Sequence, residues 1–494
     1  MMKGISAVLL GVLLCFCALG AQAMTVTGLE TEMVERIWSE NKFFARMEAL
    51  TGIAVEPKGI ADAKEYAALL DQMMKGDVQT DVLFKAELTR TQEIALLDSG
   101  AILDLSTLID THMPNLSALL AAHPEWRDVI ALEDGRIASL PMINEKERQT
   151  AMWINRAWLE KLGMAMPQNL DELTQALLAM SSGDLNGNGK DDEIGAELIG
   201  VYEMRWLLPY FGIVADDYNL ARDEDGRIVF APELPAYRAF IALLKDWHDQ
   251  GVLAEDAFTR VHATAMISSK NQEVPVTAGL LLSVTPYTQM DAKAVMDYEP
   301  LLLAAPDGRM RWRDLLGAVW TGCFAVTSRC QDVEKALAWA DALYSEEGAL
   351  LGYAGVEGED YTVNEKGLWT LALSSNRDIN ELRSNVLMYT GTAMPGVYPA
   401  DFIHRVDSDL DRYVFQASEK VRAVSERVTQ AYCLGTADQA RANELAAQIG
   451  KLVDEGIARF ATGEMELSDE NYAAWLNELR NAGSGELAAL FANE

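Results

Sequence analysis

Apolar positions recur along this chain with two alternating periods. Over 30–50, Met33, Ile37, Phe43, Phe44 and Met47 fall at helical spacing until Thr51 and Gly52 break the run, and the same period returns over 62–75. Short apolar stretches at 53–55 and 80–84 have the composition of buried strands, and 88–98 is helical again. Strands alternating with helices imply parallel pairing through right-handed crossovers, and hence an α/β class. Asp134 and Gly135 turn the chain before a strand expected at 136–140, which Pro141 terminates.

Beyond Pro141 the character changes. Residues 144–148 are polar and loop-like, 152–154 form a short apolar strand, and a helix over 156–162 stops at Gly163. Asn169 caps the next helix, with Glu172 at the reciprocal position of a capping box and Leu173, Leu177 and Met180 on its apolar face. An apolar run at 206–211, a helix over 234–251, strands over 278–283 and 320–327 and an amphipathic helix over 333–344 follow. The last third is mostly helical, with Leu445, Ile449, Leu452, Ile457 and Phe460 along one face. No repeat or long low-complexity linker separates independent domains, so two lobes joined by short crossings are expected.

The segment DLNGNGKDDE at 184–193 points to a ligand by its chemistry. Asp184, Asn186 and Asn188 place side-chain oxygens at alternate positions, Gly189 permits a sharp turn, Lys190 offers its carbonyl, and Asp192 and Glu193 close the shell. Hard cations such as calcium require that all-oxygen cage. The first half matches the EF-hand loop, but the twelfth position is Gly195 rather than a bidentate Glu, so a helix–loop–helix calcium sensor is not expected. A bare Asn/Gly turn competes with the calcium reading. A phosphate loop fails, because Asp184 stands where its first Gly belongs and Asp191 follows the Lys where Ser or Thr is needed. Following directly on a capped helix, the ion is expected to brace that helix and to be structural.

Composition adds compartment and charge. The 494 residues are 50% hydrophobic, enough for a large core and more than one folding unit. Residues 1–23 read as a secretory signal: Lys3, an apolar run over 5–19 too short to span a bilayer, and a small-residue site at Ala21, Gln22 and Ala23. Leu14 precedes Cys15 and Phe16 precedes Cys17, where a lipoprotein signal needs a small residue, so ordinary export is expected. The mature protein would then be secreted, periplasmic or held at the outer face of the cytoplasmic membrane. A net charge of −34 repels nucleic acid and anionic membranes, and no nucleic-acid partner is expected. Cys323 and Cys330 flank a strand whose ends, at ~3.3 Å per residue, stand too far apart for a disulfide. Buried thiols are the expectation, with a pair involving Cys433 open.

Several stretches carry a family likeness: LTGI at 50–53, DGRIASLP at 134–141, WINRAWLEKLG at 153–163, the 184–193 loop, AWADALYSEEG at 338–348, GVEGEDYT at 355–362 and FATGE at 460–464. In order and spacing they resemble the large bacterial extracellular solute-binding proteins (family 1) of carbohydrate ABC transporters, in particular the calcium-containing branch that includes alginate-binding proteins. The resemblance implies an α/β, two-lobed periplasmic-binding-protein-like fold (type II), with mixed sheets flanked by helices, hinge crossings, a ligand cleft and a helical C-terminal region. It places lobe one at 24–141 plus 319–371 and lobe two at 143–316 plus 372–494. It also implies a monomer that captures a carbohydrate, an oligosaccharide above all, closes on it and presents it to permease subunits. The implied Ca2+ ligands are Asp184, Asn186, Asn188, Lys190 through its carbonyl, Asp192 and Glu193.

Sugars are recognised by flat aromatic rings against their apolar faces and by planar polar groups against their hydroxyls. Trp206, Tyr210, Tyr287, Trp320 and Tyr398 sit near turns or expected crossings and Glu145 follows the first crossing, which makes these the candidate ligand residues. The plain alternative for each aromatic is a place in the core. Two other classes remain open: a ligand-binding subunit that feeds a membrane sensor, and a secreted calcium-dependent polysaccharide-degrading enzyme. The enzyme would need two placed carboxylates or a base beside the metal. Nothing isolates such a pair, and none of the five His sits in a zinc-ligand or triad-like motif, so no catalytic residue is assigned.

Overall fold

The computed structural model describes residues 23–30, 36–145, 149–254, 256–259, 278–286, 292–314, 318–374, 378–389, 393–428, 434 and 436–492. A six-stranded sheet has the order β10–β4–β9–β3–β1–β2, where β1 is Met24–Leu29, β2 Val55–Ile60, β3 Val82–Phe84, β4 Leu140–Asn144, β9 Val319–Val326 and β10 Gly396–Tyr398. A four-stranded sheet has the order β8–β5–β7–β6, where β5 is Ala151–Asn155, β6 Ile194–Glu197, β7 Ala278–Ser283 and β8 Tyr298–Pro300. Both sheets mix parallel and antiparallel pairs.

Alternation along the strands decides what each sheet buries. Val82 and Phe84 point with Phe324 and Val326 into a cluster that holds Trp38, Phe43 and Trp339, whereas Leu83 and Ala325 point into another with Ile94 and Leu96. Successive strand side chains face opposite ways, so a sheet covered on both faces needs these unbroken apolar runs. The second sheet packs Trp153 with Tyr237, Phe240 and Trp247, and the face formed by Leu445, Ile449 and Phe460 on the helix Thr436–Ala461 completes that core. Asn169 caps its helix as expected, accepting the Glu172 amide at 2.9 Å, and Gly163 ends the helix Arg156–Leu162 at φ 67°.

Four local expectations change. The helix expected at 30–50 is Lys42–Thr51, preceded by a 3-10 turn Trp38–Glu40, and residues 31–35 lie outside the described residues. The strand expected at 53–55 starts where that stretch ends and becomes β2, an edge strand, which is where Pro57 is tolerated. Pro141 does not end a strand but lies inside β4. The register of β4 with β9 shifts between Trp320 and Phe324, so Pro141 faces a bulge and its missing N–H breaks no ladder bond there. Finally β10, inside the 372–494 stretch expected in lobe two, pairs with β4 and covers what would be an open edge of the first sheet, and Met388, Met394 and Phe402 join the first core.

Cys323 is buried and Cys330 half-buried, both as free thiols. Cys433 and residues 1–22 of the expected signal lie outside the described residues. Among the described residues no helix is long and apolar enough to cross a membrane.

Candidate functional site

Strand register identifies the edges at which the two sheets face one another. β9 runs antiparallel to β3 with Phe324 opposite Phe84, and antiparallel to β4 with Val319 opposite Ile143. The carboxyl ends of β1 and β3 therefore emerge where β4 leaves for the second sheet and where β9 brings the chain back. In the second sheet Ser283 lies opposite Ala151 and β6 runs parallel to β7, so the carboxyl ends of β6 and β7 point back toward the first lobe. Ligands of open α/β sheets bind outside the carboxyl ends of strands.

The first edge is built with backbone strain. Lys85 and Glu87, directly after β3, hold left-handed backbones at φ 50° and 47°. Such non-glycine conformations persist only where the surroundings over-determine them, and they cluster at functional sites. The surroundings here are Cys323 and Gly322, whose carbonyls accept the Ala86 and Leu88 amides at 3.0 Å each. Gly322 takes φ 75°, and a Cβ on it would stand 2.1 Å from the Leu88 carbonyl oxygen, so only glycine fits the bulge. Behind the bulge, the buried Glu93 carboxylate accepts from Arg90 at 3.0 Å, the Gly322 amide at 3.1 Å and the Ser139 hydroxyl. Burial pushes the Glu93 carboxyl upward, against the opposing pull of Arg90. Trp320, first on the bulge, is half-buried against the first core, and among the described residues its buried Nε1 has no hydrogen-bond partner.

The second edge presents apolar surface. The helix Gly200–Met204 begins three residues after β6 and exposes Tyr202 by 43%, while Val284, one residue past β7, is 39% exposed. The Arg205 guanidinium lies 5.8 Å from the centre of the Tyr202 ring and donates to Asn219 at 2.5 Å. Glu203 is buried and accepts the Ile199 amide at 2.7 Å. Burial, with Glu197 adding repulsion, pushes its carboxyl up to about 7.

The candidate ligand residues divide by burial. Trp206 and Tyr210 are buried in the second core, where Trp206 lies 5.7 Å from Trp312 and the Tyr210 hydroxyl donates to the Leu301 carbonyl at 2.8 Å. Tyr398 is buried as well, its ring 4.2 Å from Tyr389. The exposed ring of the 202–210 stretch is Tyr202, which sequence reasoning missed because the apolar run began after it. Glu145 is half-buried at the first edge, its amide donating to the Tyr398 carbonyl at 3.0 Å, and Trp320 stands at the same edge. Tyr287 lies outside the described residues. Lys85 and Glu87 were also missed; a strained backbone leaves no mark on residue type.

The 184–193 loop folds upon its own oxygens. Glu193, buried, accepts the Leu185 and Asn186 amides at 2.7 and 2.9 Å, and Asp184 accepts the Gly189 amide at 2.9 Å. Asn186 and Asn188 accept the amides two residues on, and their own side-chain amides converge on the Asp192 carboxylate at 3.2 and 3.0 Å. Lys190 contributes its amide to Asn188. Among the described residues no three carboxylates, imidazoles or thiolates gather as a ready metal cluster. The oxygen-only donor set nevertheless fits a hard cation, which would take the place of the two amide groups now directed at Asp192.

A cavity of about 660 Å3 lies within the second lobe, between Phe211, Arg222, Pro235, Asp307 and Glu426. Four of its charges pair across it, Arg311 with Asp307 at 2.5 Å and Arg309 with Glu426 at 3.3 Å. It contains none of the candidate residues and nothing from the first sheet's edge, so the facing edges carry the functional argument.

No family model matches the chain. In sequence it is similar to the fructooligosaccharide ABC transporter substrate-binding protein FusA of Streptococcus pneumoniae, 28% identical over 289 residues, which is 56% of this chain and 52% of the relative. The match thus spans about half the length of that curated relative. In fold it is similar to an HMO-binding, ABC-transporter-associated solute-binding protein of Bifidobacterium longum infantis, with a TM-score of 0.80, 18% identity and coverage of 96% of this chain and 98% of that one. A FusA EF-hand mutant in complex with fructo-nystose superposes with a TM-score of 0.72 at 20% identity, and alginate-binding protein AlgQ2 without calcium ion with 0.69 at 18%, each over 96% of this chain and 98% of the other. The chain has the two-lobed solute-binding-protein fold; FusA and the HMO-binding protein are named as binding proteins of ABC transporters, and AlgQ2 as an alginate-binding protein.

Proposed function

We propose that this chain is the substrate-binding component of an ABC transporter, capturing an oligosaccharide between its lobes without chemical change and presenting it to permease subunits as a secreted or periplasmic monomer. The observation that carries the reading is the fold match over nearly the full length of both chains to an oligosaccharide-binding protein of such a transporter. The facing sheet edges support it, since the exposed Tyr202 ring stands on the second edge and the half-buried Trp320 ring on the first. In this reading residues 24–141 and 319–371, with β10 added, form lobe one, and the remainder of the mature chain forms lobe two.

A structural Ca2+ belongs to the same proposal. Asp184, Asn186, Asn188, Asp192 and Glu193 would hold it, with the Lys190 carbonyl, and the EF-hand of the structural neighbour FusA and the calcium-free form of the neighbour AlgQ2 support it. The ion would supply charge neutralisation at the junction of the helix Leu170–Met180 with β6.

The test is a melting screen against oligosaccharides with recovery of the ligand. Binding only to the folded state stabilises it by ~2.7 kcal/mol at a hundredfold excess over Kd. A shift with one or more sugars, compaction in solution scattering and intact ligand on recovery are expected. A ligand recovered cleaved, or no shift across saccharides, overturns the reading.

A further inference from the structure

Building on the sugar-capture reading, we propose that the buried Glu93 carboxylate is a positioning group for lobe closure. With Ser139 it locks the bulge of β9 to the start of β4, and so fixes where the two crossings bend and where the loop 85–88 stands at the first edge.

β4 and β9 are the strands by which the chain leaves the first sheet for the second and comes back. They pair side by side, yet Thr321, Gly322 and Cys323 stand opposite Pro141 alone. A bulge of this kind interrupts the ladder and leaves backbone groups to be satisfied elsewhere. The Gly322 amide donates to the Ser139 hydroxyl at 2.8 Å and to the Glu93 carboxylate at 3.1 Å, and the Ser139 hydroxyl donates to Glu93 in turn. The Gly322 and Cys323 carbonyls take the Leu88 and Ala86 amides. One cluster thus joins the residue just before β4, the bulge of β9 and the strained loop that follows β3.

The carboxylate is itself held. Glu93 lies on the helix Arg90–Asp98, whose first turn is set by the capping box of Thr89 with Gln92. Arg90 donates to Glu93 at 3.0 Å and to the carbonyls of Val129, Ile130 and Ala131 at 2.8, 3.3 and 3.0 Å. A buried ion pair brings little net stability, because desolvation offsets the attraction and apolar side chains of equal volume often serve as well; its best-attested use is to select one arrangement over others. The arrangement selected here is the register of the two crossings. A bulge free to slide along β9 would let the lobes meet at several angles, and it would move Lys85 and Glu87, whose left-handed backbones flank the amide held by its Cys323 carbonyl. Pinned to Glu93, the bulge leaves the bending to the second-lobe side, beyond Met142 and Trp320. Apparent affinity falls in proportion to the population of the binding-competent geometry, so loss of the lock is read in Kd.

Glu93→Gln keeps the shape of the side chain but loses the charge that faces Arg90, and Ser139→Ala removes only the hydroxyl between Gly322 and Glu93. Leu97→Ala is the control, on the same helix with its side chain in an apolar core. Each chain is titrated by calorimetry with fructo-, malto- and lacto-series tetrasaccharides and a mannuronate tetramer, and the best binder is carried into solution scattering at saturation. Glu93→Gln and Ser139→Ala are both expected to raise Kd about tenfold or more and, when saturated, to compact less than the native chain. Leu97→Ala should lower the apo Tm at least as much as Ser139→Ala yet keep the native Kd and the native compaction. If Glu93→Gln fails to fold, Ser139→Ala decides alone. Native Kd and compaction in Ser139→Ala, or an equal loss in Leu97→Ala, would overturn the positioning role while leaving sugar capture intact. Silence of the native chain toward every saccharide would remove the capture reading and this inference with it.

Discussion

Whether an aromatic residue serves the core or a ligand is decided by tenths of its surface, and no residue type declares which. Trp206 and Trp320 share a side chain and a similar setting in sequence, yet the first is 2% exposed against Trp312 and the second is half-buried at a facing edge. Trp206→Ala is therefore expected to cost ~3–5 kcal/mol of stability, read as a lowered apo Tm, while a sugar-induced shift persists. Trp320→Ala should remove the sugar shift at little cost in apo Tm; the reverse pattern would exchange their roles. Burial also sets a titration. Glu203 sits at about 7 in the folded chain against an ordinary 4.5, so between those values the folded state holds a proton that the unfolded state has lost. Stability from this group consequently falls as pH rises from about 4.5 to 7 and stays level above, by on the order of 2–4 kcal/mol. Glu203→Gln keeps an acceptor for the Ile199 amide without the charge, so its Tm should gain on that of the native chain from pH 5 to pH 8. A Tm difference independent of pH would show that the carboxyl is ionised throughout.

Elements were more legible than side chains, because spacing and caps act locally. Asn169 with Glu172, Gly163 and the 333–344 face each specify an end or a stripe within a few residues, and the structure has the corresponding helices Leu170–Met180, Arg156–Leu162 and Val333–Asp341. The misses came where tertiary pairing overrode a local signal. Pro141 reads as a strand breaker until the bulge at Trp320 to Phe324 removes the bond it would break, and that bulge is set by residues nearly two hundred positions away. Gly396–Tyr398 is three residues long and becomes a strand only because β4 leaves an edge to cover. The 184–193 loop is the opposite case, a local code. Glu193 anchors two amides at the loop's start just before β6, so a cation there would tie the helix Leu170–Met180 to the second sheet. Chelation is expected to lower the apo Tm by several degrees, Asp184→Ala to reproduce the loss and become insensitive to chelator, and sugar affinity to survive both. A Tm indifferent to calcium and to the substitution would return the loop to a plain Asn/Gly turn.

For the whole molecule the two-lobed organisation followed from the order of segments, whereas the make-up of the first sheet's edge did not, since register between distant strands brings 85–87, 143–145, 319–321 and 398 together. Charge belongs to this scale too. At −34 the chain surrounds itself with a negative potential that reaches ~30 Å in 0.01 M salt and only ~3 Å in 1 M. An uncharged saccharide feels none of it, so its Kd should hold within about twofold across that range, while a divalent cation drawn by the same field should bind progressively more weakly as salt rises. Measuring both affinities on one preparation makes each the control for the other. A sugar Kd that tightens steeply with salt would mean that the ligand carries negative charge and is being repelled at low ionic strength. A cation affinity that ignores salt would mean that the loop's own oxygens outweigh the field of the other acidic residues.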